Sequence, residues 1–299
     1  VEDDGMKIAV IGATGFVGRH LVDHLQGAGH AVRAVSRDGA KLAGWGDAVS
    51  AYAADVETGN GLAEAMAGAD AVVHLVAIAR EVGGRSFDRV NVGGVEHVVE
   101  AMRSAGIRRL VHLSAMGVID DPRLAYLSSK WRGEQVVHES GLDWTILRPS
   151  LLFGEGDGFF TLIRTTLTWW SPGVVALPGD GQARFQPLSV DDLAIGIERC
   201  LADPERVGAT YEIGGPDYLT YRQIVDRVMA ATGKRRLKLN MPVPLISALT
   251  AVTDRILPIF PVSHDQIRSL GRPNYTELDA FQKAFGSMPR PFDISYLAK

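Results

Sequence analysis

Residues 10–22 read VIGATGFVGRHLV: the end of an apolar run of strand length, then Gly12, Gly15 and Gly18 at regular spacing, then the start of a helical pattern. A strand that runs through such a loop straight into a helix is the context a dinucleotide-binding turn requires. Gly12 permits the tight turn, Gly15 lets backbone approach a pyrophosphate, and Gly18 lets the helix pack close to the strand. Thr14, Phe16 and Val17 fall in the same turn and join the glycines as cofactor-binding residues. Backbone N–H groups at the helix start then hold the anion.

From Lys7 onward the runs KIAVIG, AVRAVS, AVSAYAAD, DAVVHLV, RRLVHLSA and DWTILRP each have strand length and are separated by segments of helix length. Continuous apolar runs of this kind suit buried parallel strands. FVGRHLVDHLQGAG and FDRVNVGGVEHVVEAMRSAG carry apolar residues at helical spacing and end in glycine-bearing stops. The alternation predicts an α/β fold, a Rossmann-type doubly wound parallel sheet, with a smaller, mostly helical C-terminal region. Beyond about residue 150 the chain turns to Gly- and Pro-rich loops. The dinucleotide-binding domain is therefore expected over 6–154 and about 181–214, interleaved with a substrate or partner region over about 155–180 and 215–299.

Charge and composition narrow the partners. A net charge of −4, with acids and bases interspersed, gives no reason to expect nucleic acid. Lys234, Arg235, Arg236 and Lys238 form one local basic cluster that reads as a solvated face. Cys200 is the single cysteine, so an internal disulfide is excluded and a reducing cytoplasm is the expected compartment. The residues VEDDG ahead of Met6 are too acidic for a signal peptide. PLISALTAVTDRILPIFPV is broken by Asp254, Arg255 and prolines, which argues against a spanning helix. Trp169 and Trp170 read first as a core anchor, with a lid over substrate or a patch touching a membrane or partner as the other readings. His20 and His24 stand at metal-ligand spacing, but no metal site is expected, and Asp191 and Asp192 read as a helix cap.

Which dinucleotide binds is decided about twenty residues beyond the loop, where an acid would bond the ribose hydroxyl and a base would accept a 2′-phosphate. Here AVSRDG places Ser36 and Arg37 at that station. A guanidinium makes bidentate, charge-assisted bonds to phosphate, so NADP(H) is favoured over NAD(H).

In order and spacing, GATGFVGRHLV, AADV, VVHLVA, NVGGVEHVVEAMRSAGIRRLVHLSAMG, YLSSKWRGEQVV and DWTILRPSLLFGEGD resemble the short-chain dehydrogenase/reductase superfamily in its extended or atypical branch. ALPGDGQARFQPLSVDDLAIGI and PVSHDQIRSLGRPNY are similar to one subgroup, the NAD(P)H-binding accessory subunit of respiratory complex I and its bacterial relatives. The resemblance implies that Asp55 and Val56 lie near the adenine. It also implies that Leu75, Val76 and Ala77 pass beside the cofactor, and that Arg148, Pro149 and Ser150 lie near the nicotinamide end.

Tyr126 and Lys130, at i and i+4 in AYLSSKWRGE, share one helix face. A nearby ammonium stabilises a phenolate, so Tyr126 can exchange a proton with a carbonyl or alcohol oxygen while a nicotinamide exchanges hydride. Lys130 also reaches the ribose hydroxyls. Ser114, in HLSAMG, is the candidate to bond the substrate oxygen or, equally, local backbone. The expected function is an oxidoreductase acting on a small carbonyl or alcohol. The rival is a subunit that keeps the nucleotide for structure or redox sensing beside a protein partner, and a nucleotide-sugar epimerase or dehydratase lacks a clear signature.

Overall fold

The computed structural model describes residues 5–42, 45, 49–167, 173–246 and 272–298. Trp169, Trp170 and most of the two C-terminal segments singled out above lie outside the described residues. In chain order the first elements are β1 (Lys7–Ile11), α1 (Phe16–Gly27), β2 (Ala31–Ser36), β3 (Val49–Ala53), α2 (Leu62–Met66), β4 (Ala71–His74), α3 (Gly93–Ser104), β5 (Arg109–Leu113), α4 (Ala125–His138) and β6 (Asp143–Pro149). They are followed by β7 (Leu152–Phe153), α5 (Phe159–Thr165), β8 (Val174–Pro178), β9 (Arg184–Phe185), β10 (Leu188–Ser189), α6 (Val190–Ala202), β11 (Ala209–Ile213), β12 (Leu219–Thr220), α7 (Tyr221–Ala231), β13 (Leu237–Met241) and α8 (Ala280–Phe285). These elements fall into two units, 1–149 with 190–211, and 150–189 with 212–299.

The first unit is built on a seven-stranded sheet of order β11-β6-β5-β4-β1-β2-β3. Adjacent strands from β3 across to β6 run parallel. The chain winds outward from β1 to β3, returns to the other side of β1 and winds outward again from β4 to β6. The switch lies between β1 and β4, and in a doubly wound sheet a ligand binds at the strand ends there. Ala9, Ile11, Val72, Leu110 and Ile146 pack on one face against Val95, Val98 and Met102 of α3 and Val137 of α4. Ile8 and Val10, alternating with Ala9 and Ile11, are equally buried on the other face.

Helices α1 and α6 pack against each other, and α1 buries Gly18, Leu21, Val22 and Leu25 at helical spacing. Carboxylates from α6 meet the two histidines of α1: His20 Nδ1 lies 2.8 Å from Asp191 and His24 Nε2 lies 2.7 Å from Glu198. Asp191 and Asp192 sit in the first turn of α6, inside the helix and not at its cap position. There a negative charge complements the N-terminal dipole.

The second unit has its own core, in which Phe153, Phe160, Phe185 and Phe292 pack with Ile224, Val225 and Val228 of α7. Buried Gln186 accepts a hydrogen bond from Thr276 N at 2.8 Å and donates to Gly215 O at 2.7 Å.

One polar pair stands out inside the first unit. His74 and His112 are register partners on β4 and β5, both buried, with rings stacked at 5.1 Å between centroids. Their Nδ1 atoms are 3.1 Å apart. A hydrogen bond between two such nitrogens needs one to carry the proton and the other a lone pair, so in the neutral pair the rings adopt opposite tautomers. Burial, with the Lys130 charge adding to it, pushes His74 down to about 3 and holds His112 well below the usual range.

A histidine whose pKa is depressed on folding costs stability in acid. Below about pH 6.5 the unfolded chain takes up a proton that the folded chain refuses until far lower pH. Folding stability is therefore expected to fall as pH drops, by about 1.4 kcal/mol per pH unit for each histidine. Urea unfolding at a series of pH values checks this against a His74→Leu/His112→Leu double variant, whose stability should fall less steeply. Identical slopes would show that the pair carries none of the acid sensitivity.

Candidate functional site

The glycine loop spans the gap between β1 and α1, and each glycine answers a steric demand. Gly12 has φ +97°, and a Cβ there would lie 2.9 Å from Val76 Cγ2. At Gly18 a Cβ would lie 2.2 Å from the Gly12 carbonyl oxygen, so the first turn of α1 rests on the loop backbone. At Gly15 the nearest atom is the Gly12 oxygen at 3.2 Å, and the residue is exposed, leaving room on its outer side. Gly15 is also the N-cap of α1 and no side chain caps the helix. Unclaimed N–H groups at a helix N-terminus, beside an exposed glycine, fit a pyrophosphate.

Thr14 Oγ1 meets Ser36 Oγ at 2.8 Å, tying the loop to the end of β2. Phe16 stacks edge-on against His20 within α1, and Val17 is half-buried beside it. Arg37 is exposed and makes no ion pair among the described residues. The adjacent acid is already committed: Asp38 accepts from Ala40 N at 3.2 Å and pairs with Lys41 at 3.6 Å. Arg37 is thus the more available of the two charges after β2.

Asp55 closes the turn after β3, its Oδ1 accepting from Glu57 N at 2.9 Å. Val56 is buried beneath α3, where a Cβ at Gly94 would lie 3.2 Å from Val56 Cγ2. His97 Nδ1 donates to the Val56 carbonyl at 2.7 Å. After β4, Leu75 N donates to Ile11 O at 3.0 Å, Val76 abuts Gly12, and Ala77 is exposed. The segment after β4 therefore borders the glycine loop directly.

Tyr126 lies in the first turn of α4, half-buried, its ring 6.0 Å from that of Phe87. Burial pushes its phenol above the usual tyrosine range. Lys130, one turn on, is buried and donates from Nζ to the Leu113 carbonyl at 2.7 Å, at the end of β5. Burial brings its pKa down to about 8, with the Glu134 charge opposing the shift. Ser114 follows immediately, buried, with an Oγ that has no partner among the described residues. Its backbone N donates to Leu147 O at 2.8 Å, and Met116 N donates to Pro149 O at 3.0 Å.

Arg148 holds Glu134 in a two-pronged pair, Nε to Oε1 at 3.0 Å and Nη2 to Oε2 at 2.5 Å. Glu134 is fully buried and stands one turn beyond Lys130 on α4. The guanidinium thus secures the acid behind Lys130. Ser150 belongs to the second unit, where its Oγ donates to Asn274.

Several residues of this network escape a motif search. Buried Asn91 clasps Ile78 through both amide atoms, accepting from its N at 2.8 Å and donating to its O at 3.0 Å. The same amide donates to Ser129 Oγ at 2.9 Å, and Ser129 Oγ donates to Tyr126 O at 2.7 Å. The chain of bonds links the segment after β4 to the turn that carries Tyr126. A polar Asn inside the apolar pattern FDRVNVGGVEHVV was the available signal. Gly133 belongs to the same junction, since a Cβ there would lie 2.6 Å from Asn91 O.

Comparison with known proteins bears on the fold and the family. The 40 kDa subunit of mitochondrial NADH-ubiquinone oxidoreductase of Neurospora crassa is 27% identical, with 85% of this chain aligned to 67% of the subunit. A 2-alkyl-3-oxoalkanoate reductase of Stenotrophomonas maltophilia is also 27% identical, over 95% of each chain. An NADPH-dependent quinone oxidoreductase of Escherichia coli, solved with NADPH, superposes with a TM-score of 0.73 at 18% identity over 97% of each chain, and so shares the fold. A family model described as NAD(P)H-binding matches residues 12–166, and the chain belongs to that family.

Proposed function

We propose that the chain is an NADP(H)-dependent reductase of a small carbonyl compound, with Tyr126 as proton donor, Lys130 as its electrostatic partner and Ser114 as the group that orients the carbonyl oxygen. The observation that carries this is the buried Ser114 hydroxyl, without a partner among the described residues, beside the Leu113 carbonyl that holds the Lys130 ammonium. A buried hydroxyl without a partner is costly unless something else bonds to it, and a substrate oxygen is such a partner.

In this reading the loop from Gly12 to Gly18 and the first turn of α1 receive the pyrophosphate, Arg37 takes the 2′-phosphate, and Asp55 and Val56 border the adenine. Leu75 to Ala77 flank the cofactor, Arg148 and Pro149 border the nicotinamide end, and Lys130 reaches the ribose. The bound dinucleotide supplies the hydride. Tyr126 gives its proton to the carbonyl oxygen as charge builds there, and Ser114 holds that oxygen by a hydrogen bond. Burial raises the phenol, so a charged Lys130 is needed to bring the phenolate within reach of working pH. The chain-long match to the 2-alkyl-3-oxoalkanoate reductase supports this reading.

A second reading has its own support. The Lys130 ammonium is given to a backbone carbonyl, and the similarity to a respiratory complex subunit fits a chain that holds nucleotide beside a protein partner. Either reading suits a reducing, cytoplasmic setting for a chain whose one cysteine is buried. No helix among the described residues is long and apolar enough to cross a membrane.

Three outcomes follow from the catalytic reading. NADPH should bind more tightly than NADH, and Arg37→Ala should cost NADPH about tenfold or more in affinity while sparing NADH, as loss of a charge-assisted phosphate contact does. Titration calorimetry checks this, and equal affinities in the unmutated chain would remove the basis for the preference. Tyr126→Phe should abolish NADPH oxidation by an accepted carbonyl with nucleotide affinity nearly unchanged; a panel of carbonyls that yields no oxidation favours the subunit reading. Finally, Lys130 is charged below its pKa of about 8, so the reduction rate should fall as pH rises through that value. A pH–rate profile lacking a limb in that region would detach Lys130 from the chemistry.

A further inference from the structure

The second unit carries a concentration of exposed aliphatic side chains at one place. Leu237 and Leu239, two residues apart on β13, are 73% and 54% exposed, and Val243 and Leu245 just beyond it are 36% and 51% exposed. Side chains at i and i+2 of a strand leave it on the same side. Lys238, between the two leucines, turns away from them and pairs with Asp226 of α7 at 2.6 Å. One side of β13 is thus committed to the unit and the other presents apolar groups. The strand pairs with β8 along one edge in a two-stranded sheet, which holds its backbone in place.

Cations stand at the same place. Lys234 and Arg235 immediately precede β13, and neither makes an ion pair among the described residues. Arg236 is spent locally, with Nη2 donating to Leu167 O at 2.9 Å. The nearby acids are also engaged, Asp226 with Lys238 and Asp180 with the backbone of Gln182. A chain of net charge −4 gains nothing from general attraction to an anionic surface, so a local pair of uncommitted cations beside an apolar face is selective.

We propose that the side of β13 that carries Leu237 and Leu239 is a docking surface for an anionic lipid bilayer. Leu237 and Leu239 enter the boundary between headgroups and acyl chains, and Lys234 and Arg235 meet lipid phosphates. Aliphatic groups flanked by Lys and Arg are the pattern of interfacial membrane binding. A protein partner fits less well. Protein interfaces are depleted in Lys, and their energetic centres favour Trp, Tyr and Arg over Leu and Val.

Co-sedimentation with lipid vesicles tests this on the full chain and requires neither nucleotide nor turnover, so it stands apart from the catalytic question. The chain should pellet with phosphatidylcholine vesicles containing phosphatidylserine, stay in solution with phosphatidylcholine alone, and be released by high salt. Leu237→Glu/Leu239→Glu and, separately, Lys234→Glu/Arg235→Glu should each lower vesicle binding by about tenfold or more, with circular dichroism melts and NADPH binding unchanged. Failure of the unmutated chain to pellet with the anionic vesicles overturns the proposal. So does undiminished binding by the charge-reversed variant, or a concentration-dependent dimer that Leu237→Glu/Leu239→Glu dissolves, which would assign the face to a second copy of the chain.

Discussion

The first turn of α1 lies against the backbone of the loop that feeds it, and this contact governs much of what surrounds it. Gly18 sits where any Cβ would run into the Gly12 and Ala13 carbonyl oxygens. Because the helix starts so close to the end of β1, its first N–H groups emerge at the sheet's switch point, where neighbouring strands diverge. The same closeness forces Gly12 into a positive φ and presses Val76 against it, so the segment after β4 is positioned by the loop itself. A larger residue at either glycine would displace the N-terminal end of the helix as well as cost stability.

Behind that loop the first unit tolerates an expensive arrangement. His74, His112, Lys130 and Glu134 are all buried, and an unpaired charge in such a place costs several kcal/mol. Each is moderated differently. The histidines are held neutral and share one hydrogen bond, Glu134 is matched by Arg148, and Lys130 is softened by burial and anchored on a carbonyl. These polar groups gather at the ends of β4, β5 and β6 and on the adjoining face of α4. Perturbed titratable groups cluster where a protein handles protons, which is why this end of the sheet, and not the apolar remainder, is the place to look for chemistry.

Much of this was legible in the chain. The six apolar runs became the six strands β1 to β6. An unbroken apolar run suits a strand buried on both faces, as β4 is, whereas β3, at the sheet edge, is half-buried to exposed despite its similar run. The glycine spacing was legible because each glycine answers a local steric demand. Less visible were contacts that depend on register. Nothing near His74 announces His112, which lies thirty-eight residues on and meets it only because β4 pairs with β5 in that register. Asn91 was hidden for the same reason, its partners Ile78 and Ser129 being distant in sequence on either side. For His20 and His24 the sequence offered only their spacing, and the carboxylates they meet come from α6, far along the chain.

Tyr126 and Lys130 share a helix face, yet they have different neighbours: an aromatic ring for the phenol, a backbone carbonyl for the ammonium. A lysine held on the Leu113 carbonyl is fixed in position without being neutralised, since a carbonyl removes no charge. That suits a clamp on ribose hydroxyls, which need a donor in a fixed place, and it equally suits a charge meant to act on a phenolate at short range. The two roles part at the oxygen that receives the proton. A clamp has no use for a free hydroxyl at the end of β5, whereas proton transfer to a carbonyl does, and Ser114 Oγ has no partner there among the described residues. In the proposed reading, the balance between holding a nucleotide and using it rests on Ser114 as much as on the tyrosine–lysine pair.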